Sequence, residues 1–217
     1  MNIAISLGGS VFTDNLERIE MFAEQIEELK DDFDRIVVVV GAGTLKKFIE
    51  SASESSSCSE RDMVGIRATR LNASVLKSYI EGCFPGIPES MEELTEASST
   101  FDVVVMGGTE PGHSTDAVAA LSAEIIDAEV MVDVTDVRGV YRDREDPSTK
   151  IDRMSYSELR KVLDSHSSEP GKYSLMDRTS VDIIERSGIE TIVVDGTERG
   201  AIVEAVRQED KGTRILD

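Results

Sequence analysis

Tryptophan is absent from the chain and aromatic residues make up only 5% of it. The interior must therefore be filled by aliphatic and small side chains rather than large rings. Cysteine is nearly absent too. Cys58 and Cys83 are the only two, which excludes both a disulfide framework and a cysteine-based metal cluster. Positive charge is the scarcest resource of all: 23 basic residues, of which only 8 are lysine, face 43 acidic ones, for a formal charge of -20. A field of that sign repels nucleic acid and anionic membrane, so neither is an expected partner. No stretch approaches the roughly 20 apolar residues needed to span a bilayer. The opening Met1-Asn2-Ile3-Ala4-Ile5 carries no basic segment followed by a long apolar one. A soluble, cytoplasmic protein is the expectation. Acidic surface, scarce lysine and small core residues together predict adaptation to high salt, where like-charge repulsion is screened.

The 217 residues suffice for a substantial core, in one large domain or two lobes sharing a sheet. The first predicted strand, Asn2 to Leu7, ends at Gly8-Gly9-Ser10. Leu16, Ile19, Phe22, Ala23, Ile26 and Leu29 then recur at helical spacing. Ile36 to Val40 is wholly apolar, as parallel strands covered on both faces require, and ends at Gly41-Ala42-Gly43 before a helix start at Thr44 to Ile49. Ser51 to Ser59, rich in serine, reads as a flexible linker or a helix end followed by a turn. Arg61 to Tyr79 reads as a helix with Val64, Ala68, Leu71, Val75 and Tyr79 on its apolar face, widened by Ile66 and Leu76. A proline- and glycine-bearing loop, Cys83 to Pro88, leads to a short helix at Met91 to Ala97.

The second half keeps the alternation. Strands are predicted at Phe101 to Met106, Val130 to Val134, Ile189 to Val194 and, last and shortest, Thr213 to Leu216. Helices are predicted at Ser114 to Asp127, Tyr156 to Leu163, Asp177 to Ser187 (closed by Gly188) and Arg199 to Gln208. Thr135 to Tyr141 forms a turn and excursion, Arg142 to Lys150 an exposed charged segment, and Ser165 to Lys172 a polar connection. Such alternation means an α/β sandwich.

The densest chemistry sits between Val103 and Asp116. Four apolar residues end in Gly107-Gly108, Pro111-Gly112 demands a turn, and Ser114, Thr115 or Asp116 can cap the alanine-rich helix that follows. A strand end, a glycine turn and a helix start converge, which is where an α/β protein tends to hold an anion on free backbone N–H groups. The turns at Gly8-Gly9-Ser10 and Gly41-Ala42-Gly43 repeat the move and can add positive potential from their N–H groups. Lys46, Lys47, Arg67 and Arg70 are the cations best placed by local order to supplement them. The acids have plain readings as well. Asp62 and Asp116 can favour a helix dipole, Asp177 can cap its helix, His113 can be a hydrogen-bonding turn residue, and His166 reads as exposed.

Taken in order, Ile5 to Ser10, Val40 to Gly43, Gly107 to Asp116 and Thr135-Asp136-Val137-Arg138-Gly139-Val140-Tyr141 resemble the signatures of the amino acid kinase family. Gly107-Gly108-Thr109-Glu110-Pro111-Gly112-His113-Ser114-Thr115-Asp116-Ala117-Val118-Ala119 is especially similar to the archaeal uridylate kinases of that family. The match runs nearly the full length. It implies a three-layer α/β sandwich with a mostly parallel central sheet, an acceptor lobe at 1–128 and a donor-nucleotide lobe at 129–217. It implies transfer of the ATP γ-phosphate to UMP, with Mg²⁺ carried in on ATP and no dedicated all-protein metal cage, and a homo-oligomer, hexameric or dimeric.

The residue roles follow from the resemblance alone. Gly8, Gly9, Ser10 and Gly43 match the cradle of the transferring phosphoryl group. Gly9 and Ser10 count with Lys47 and Arg70 as catalytic, and Lys47 also lies near ATP. Ala42, Asp62 and the run Thr109, Glu110, Pro111, Gly112, His113, Ser114 and Thr115 match the UMP site, with Asp62 on the sugar. Thr135, Asp136 and Tyr141 match donor contacts. Three departures stand out: Ala42 replaces a glycine, Thr44 a frequent lysine, and Asp136 an asparagine. Ser6 occupies the place of a lysine found in bacterial members. A kinase for another acceptor, or a nucleotide-binding regulatory or storage protein with little turnover, are the competing readings.

Overall fold

The computed structural model describes residues 1–51, 56–143, 145–166, 175–208 and 210–217. The first half runs β1 (Asn2–Leu7), α1 (Leu16–Leu29), β2 (Arg35–Val40), a 3-10 turn at Gly43–Leu45, α2 (Lys46–Ser51), α3 (Cys58–Lys77), α4 (Met91–Ser98), β3 (Val103–Met106), α5 (Thr115–Ile125) and β4 (Val130–Thr135). The second half adds β5 (Val140–Tyr141), β6 (Lys150–Ile151), β7 (Arg153–Met154), α6 (Tyr156–His166), α7 (Arg178–Ser187), β8 (Glu190–Asp195), α8 (Ala201–Arg207) and β9 (Thr213–Ile215). One seven-stranded sheet has the order β3-β2-β1-β4-β8-β9-β7. It is parallel from β3 through β8, β9 joins β8 antiparallel, and β5 and β6 form a separate hairpin. The sheet passes without a break through the β1–β4 pairing, which joins the two expected lobes.

Strand side chains alternate between two cores, as a period of two dictates. Ile3, Ile5, Leu7, Val38, Val40, Val132 and Val134 meet α1, α3 and α8 on one face. Ala4, Val37, Val39, Met106, Met131 and Val193 meet α4, α5, α6 and α7 on the other. This is the expected three-layer sandwich. The alanine-rich α5 lets the backbone of that helix lie close to the sheet: Ala117, Val118, Ala119, Ala120 and Ala123 are fully buried.

The apolar face predicted for α3 is turned from the observed one. The buried side chains are Ile66, Thr69, Ala73 and Leu76, and Leu71 is 57% exposed. A helix can bury a polar Thr69 only if its hydroxyl is satisfied. That hydroxyl donates to the Ile66 carbonyl and accepts from Gly108 N–H, each at 2.7 Å. The helix is thus oriented by a glycine loop, not by its apolar periodicity. In α1, Leu16 is likewise exposed, and buried Gln25 joins it to α8 through Ile202 N–H at 2.9 Å.

The linker expected at Ser51 to Ser59 lies partly outside the described residues. At its end Ser57 caps α3 in a reciprocal capping box with Glu60. Gly188 closes α7 in the left-handed conformation, at φ 62°. The connection expected at Ser165 to Lys172 begins later, because α6 continues through Ser165 and His166; the side chains of those two and residues 167–174 fall outside what the structure describes.

Candidate active site

The parallel strands β1, β2, β3, β4 and β8 deliver their C-terminal ends to one edge of the sheet, the usual place for a ligand in an open α/β fold. The turns after β1 and β2 pack backbone against backbone. A methyl group at Gly41 would come within 2.5 Å of the Gly9 nitrogen, and one at Gly9 within 3.2 Å of the Gly43 nitrogen. Gly8 donates to the Val134 carbonyl at 3.0 Å and Gly41 to that of Leu7 at 2.8 Å, while Asn72 of α3 donates to the Gly41 carbonyl at 2.8 Å. Gly43 has φ +57° and its missing side chain would collide with the Phe12 carbonyl. Both the left-handed backbone and the close approach exclude any larger residue there.

A wall for a second ligand descends from the β3–α5 loop. Gly107 packs on α3, where an added methyl would lie 2.7 Å from Arg70 N. The Arg70 guanidinium donates to the carbonyls of Gly108 (3.0 Å), Thr109 (3.2 Å) and Glu89 (3.1 Å), and pairs with the Glu89 carboxylate at 2.5 Å. Asp62 accepts from Gly112 N–H at 3.0 Å, and Gly112 turns at φ +86°. Asp62 lies past the first turn of α3, so it does not cap that helix. Glu110, Pro111, Gly112 and His113 are exposed, and Thr109, Ser114 and Thr115 are half-buried. Ser114 caps α5 through Ala117 N–H and donates to Asp177, which itself caps α7 through Ser180 N–H at 3.0 Å. One hydroxyl therefore ties two helix starts together.

Behind this wall lies a line of acids. Ser6, fully buried on β1, donates to Asp116 at 2.8 Å. Burial, with the nearby Asp177 charge adding to it, pushes Asp116 up to about 6 against the opposing effect of the Ser6 hydrogen bond. Asp133, on β4 and paired in register with Ser6, is 2% exposed. Burial, then the Asp116 charge, holds its carboxyl well above the usual range.

On the far side of β4, Thr135 is buried, its carbonyl accepts from Gly196 N–H at 2.8 Å, and its hydroxyl reaches Asp136 at 3.3 Å. Asp136 is exposed and Tyr141 half-buried on the β5–β6 hairpin. A groove of about 280 Å³ opens beside them, lined by Arg138, Lys150, Asp195, Glu198 and Lys211 among others.

Residues 1–195 match the model of the amino acid kinase family. The chain belongs to that family. The uridylate kinase of Archaeoglobus fulgidus is 42% identical over 220 residues, covering 99% of this chain and 100% of that one. The uridylate kinase of Natronomonas pharaonis is 38% identical, covering 100% and 99%. The crystal structure of the Archaeoglobus enzyme superposes with a TM-score of 0.90, each chain covered in full. The UMP kinase of Ureaplasma parvum, at 18% identity and a TM-score of 0.78, shares the fold.

Two of the departures from the family pattern, Ala42 and Ser6, have local explanations, and nothing in the structure explains Thr44 or Asp136. Ala42 sits at φ -71°, ψ -21°, a right-handed helical conformation open to any L-residue, so it needs no glycine as its neighbour Gly43 does. Ser6 supplies a hydroxyl to Asp116 where bacterial members of the family carry a lysine. Arg70 stands in the acceptor wall with its nitrogens on carbonyls and on Glu89, which makes it a group that shapes the loop. Lys47 lies exposed on α2, its ammonium 5.3 Å from the Phe48 ring. Thr69, Asn72, Asp133 and the groove residues Arg138, Lys150 and Lys211 escape sequence reading. Only Arg138, inside the Thr135 to Tyr141 motif, carries a sequence signal.

Proposed function

We propose that this chain is an ATP-dependent UMP kinase, transferring the γ-phosphate of ATP to UMP to give UDP and ADP in pyrimidine nucleotide biosynthesis. The observation that carries the reading is the pair of glycine turns, packed backbone on backbone beside the Gly107 to Asp116 wall, in a chain like uridylate kinases along its whole length. Phosphoryl transfer requires placement and positive potential rather than a side-chain nucleophile. The close packing of Gly9, Gly41 and Gly43 leaves room for a phosphoryl group to meet backbone rather than side chains, and the N–H groups of Gly9 and Gly43 stabilise its charge. Asp62 and the Thr109 to Thr115 wall hold the acceptor, with the carboxylate accepting from sugar hydroxyls. Thr135, Asp136, Tyr141 and the groove beside them take the donor, which brings Mg²⁺ bound to its own phosphates.

Three further features belong to this reading. A charge of -20 with so few lysines supports a protein whose fold and assembly depend on salt. Family membership supports a homo-oligomer, a hexamer or a dimer. The acidic surface supports a cytoplasmic setting without nucleic acid or membrane as partner.

A panel of nucleoside monophosphates with MgATP, scored by ADP release across KCl concentrations, tests the reading. UMP is the expected acceptor, with activity rising with salt. Faster turnover of another monophosphate, or binding of UMP and ATP without turnover, overturns it.

A further inference from the structure

Asp133 is a buried acid that the phosphoryl-transfer chemistry does not call on. Its position in β4 puts it between Ser6 of β1 and Val193 of β8 in register, on the same face of the sheet as α5 and α7. The titratable groups facing it are few. The α5 helix supplies Asp116, the start of α7 supplies Asp177 beside Asp116, β1 offers the Ser6 hydroxyl, and β8 is apolar there. Among the described residues, no ion pair involves any of the three acids, and one Asp133 oxygen has no hydrogen-bond partner. An ionised carboxylate so enclosed, next to a second one and without a cation, is not sustainable. Two neighbouring carboxyls in such a place share one proton between them.

The same short piece of β4 touches the transfer turn. Val134, next to Asp133, receives the Gly8 N–H at 3.0 Å, and Ser6, opposite Asp133, lies two residues before Gly8. Whatever charge sits on the Asp116–Asp133 pair therefore acts on the backbone that presents Gly8, Gly9 and Ser10.

We propose that Asp133 is a positioning residue that works as a neutral acid: it keeps its proton, leaves Asp116 as the only ionising member of the pair, and through Ser6 and Val134 holds the Gly8–Ser10 turn in register for transfer. Turnover then carries an acid limb set by Asp116, with Asp133 silent. The proposal rests on the kinase reading above for its catalytic consequence, but not for the protonation it assigns.

The test uses the full-length protein labelled with ¹³C at the aspartate carboxyls. Side-chain resonances are followed on both sides of pH about 6, and assigned by their loss in Asp133→Asn and Asp116→Asn. The Asp133 resonance stays at the protonated-acid position throughout, while Asp116 titrates, and in Asp133→Asn the Asp116 midpoint moves by less than about half a unit. In parallel, Asp133→Leu lowers kcat about tenfold with the UMP KM little changed, and Asp133→Asn recovers most of the loss. An Asp133 resonance at the carboxylate position near neutral pH overturns the proposal even if the leucine variant does not fold. So does a leucine variant as fast as the parent, or an asparagine variant as slow as the leucine one. A parent protein that forms no UDP at any pH instead overturns the kinase reading and, with it, the positioning role, while the titration still decides the protonation.

Discussion

The cations around α6, α7 and α8 are used differently from those on α2. Around α6, α7 and α8 they are consumed by acids. Arg160 pairs with Asp182 and Glu185, Arg186 with Glu124, Arg199 with Glu24, Arg207 with Glu28 and Asp32, Lys211 with Glu204, and Arg214 with Glu190. On α2, which follows Gly43, Lys46 and Lys47 take part in no ion pair of the described residues, Lys47 overlying Phe48, and on α3 Arg67 likewise takes part in none while Arg70 pairs with Glu89. In a chain of charge -20 a cation that pairs with no acid keeps its whole charge for a ligand. The contrast teaches that pairing ties the late helices to their neighbours and also covers the groove cations Arg138, Lys150 and Lys211, while Lys46 and Lys47, next to Gly43, keep their charge available for an anionic ligand.

The sharpest way to break this comparison is to remove charge from the unpaired side. Lys46→Ala combined with Lys47→Ala lowers kcat/KM for ATP and UMP about a hundredfold, roughly 2.7 kcal/mol of transition-state stabilisation, with folding unchanged by circular dichroism. Unaltered kinetics removes both lysines from the site. On the paired side, Arg214 is the deepest: its side chain is 9% exposed and bonds Glu190 at 2.6 Å together with the carbonyls of Ala205 and Gln208. Arg214→Ala should cost about 2–3 kcal/mol in urea unfolding, since it strands Glu190 and two carbonyls, yet leave the UMP KM of the folded fraction unchanged.

Asp116 gives a pH signature of comparable size. Its carboxyl is raised in the fold to about 6 from an ordinary value of 3.8, so the folded state binds more protons between those values and stability falls as pH rises through that window. The loss is complete above about 6 and is on the order of 2–3 kcal/mol. Asp116→Asn removes this component of the slope in urea midpoints measured against pH. The exposed pairs of Asp34, Glu60 and Glu158, lowered by their hydrogen-bond partners, work weakly in the other direction. Within the acceptor wall, Asp62→Asn weakens UMP binding by about 2 kcal/mol, some thirtyfold in Kd, without altering affinity for a nonhydrolysable ATP analogue. Titration calorimetry with each ligand separates the two. The smallest effect is at Arg207, whose pairs are half-exposed. Arg207→Ala lowers the urea midpoint only slightly, and less still in concentrated KCl, where such pairs are screened. A larger cost that survives salt would mean that the paired cations do more than neutralise.

Apolar runs, glycine positions and their order by themselves determined β1, β2, β3, β4, β8 and β9, the strand–helix alternation and the place of the turns. They did not determine the two-residue strands β5, β6 and β7, which lie in or just after the stretch read as a turn and an exposed charged segment and are too short to carry a periodicity. Ile36 to Val40, wholly apolar and ending in glycine, already demands a strand covered on both faces and followed by a tight turn, because only burial and backbone freedom are involved. Asp177 was legible as a cap, and Ser114 as one of three candidates with Thr115 and Asp116, because a cap needs only a short polar side chain just before a helix. Tertiary structure alone decided which way α3 faces, because Thr69 is satisfied by a glycine loop 39 residues away and no periodicity encodes a distant hydrogen bond. It also decided that Ala42 is conformationally ordinary while Gly43 is not, and that Arg70 bonds loop carbonyls. Asp133 shows the limit most clearly. In the chain it is one more acid among 43, and only the pairing of β1 with β4, closed over by α5, takes it out of water and gives its proton a role.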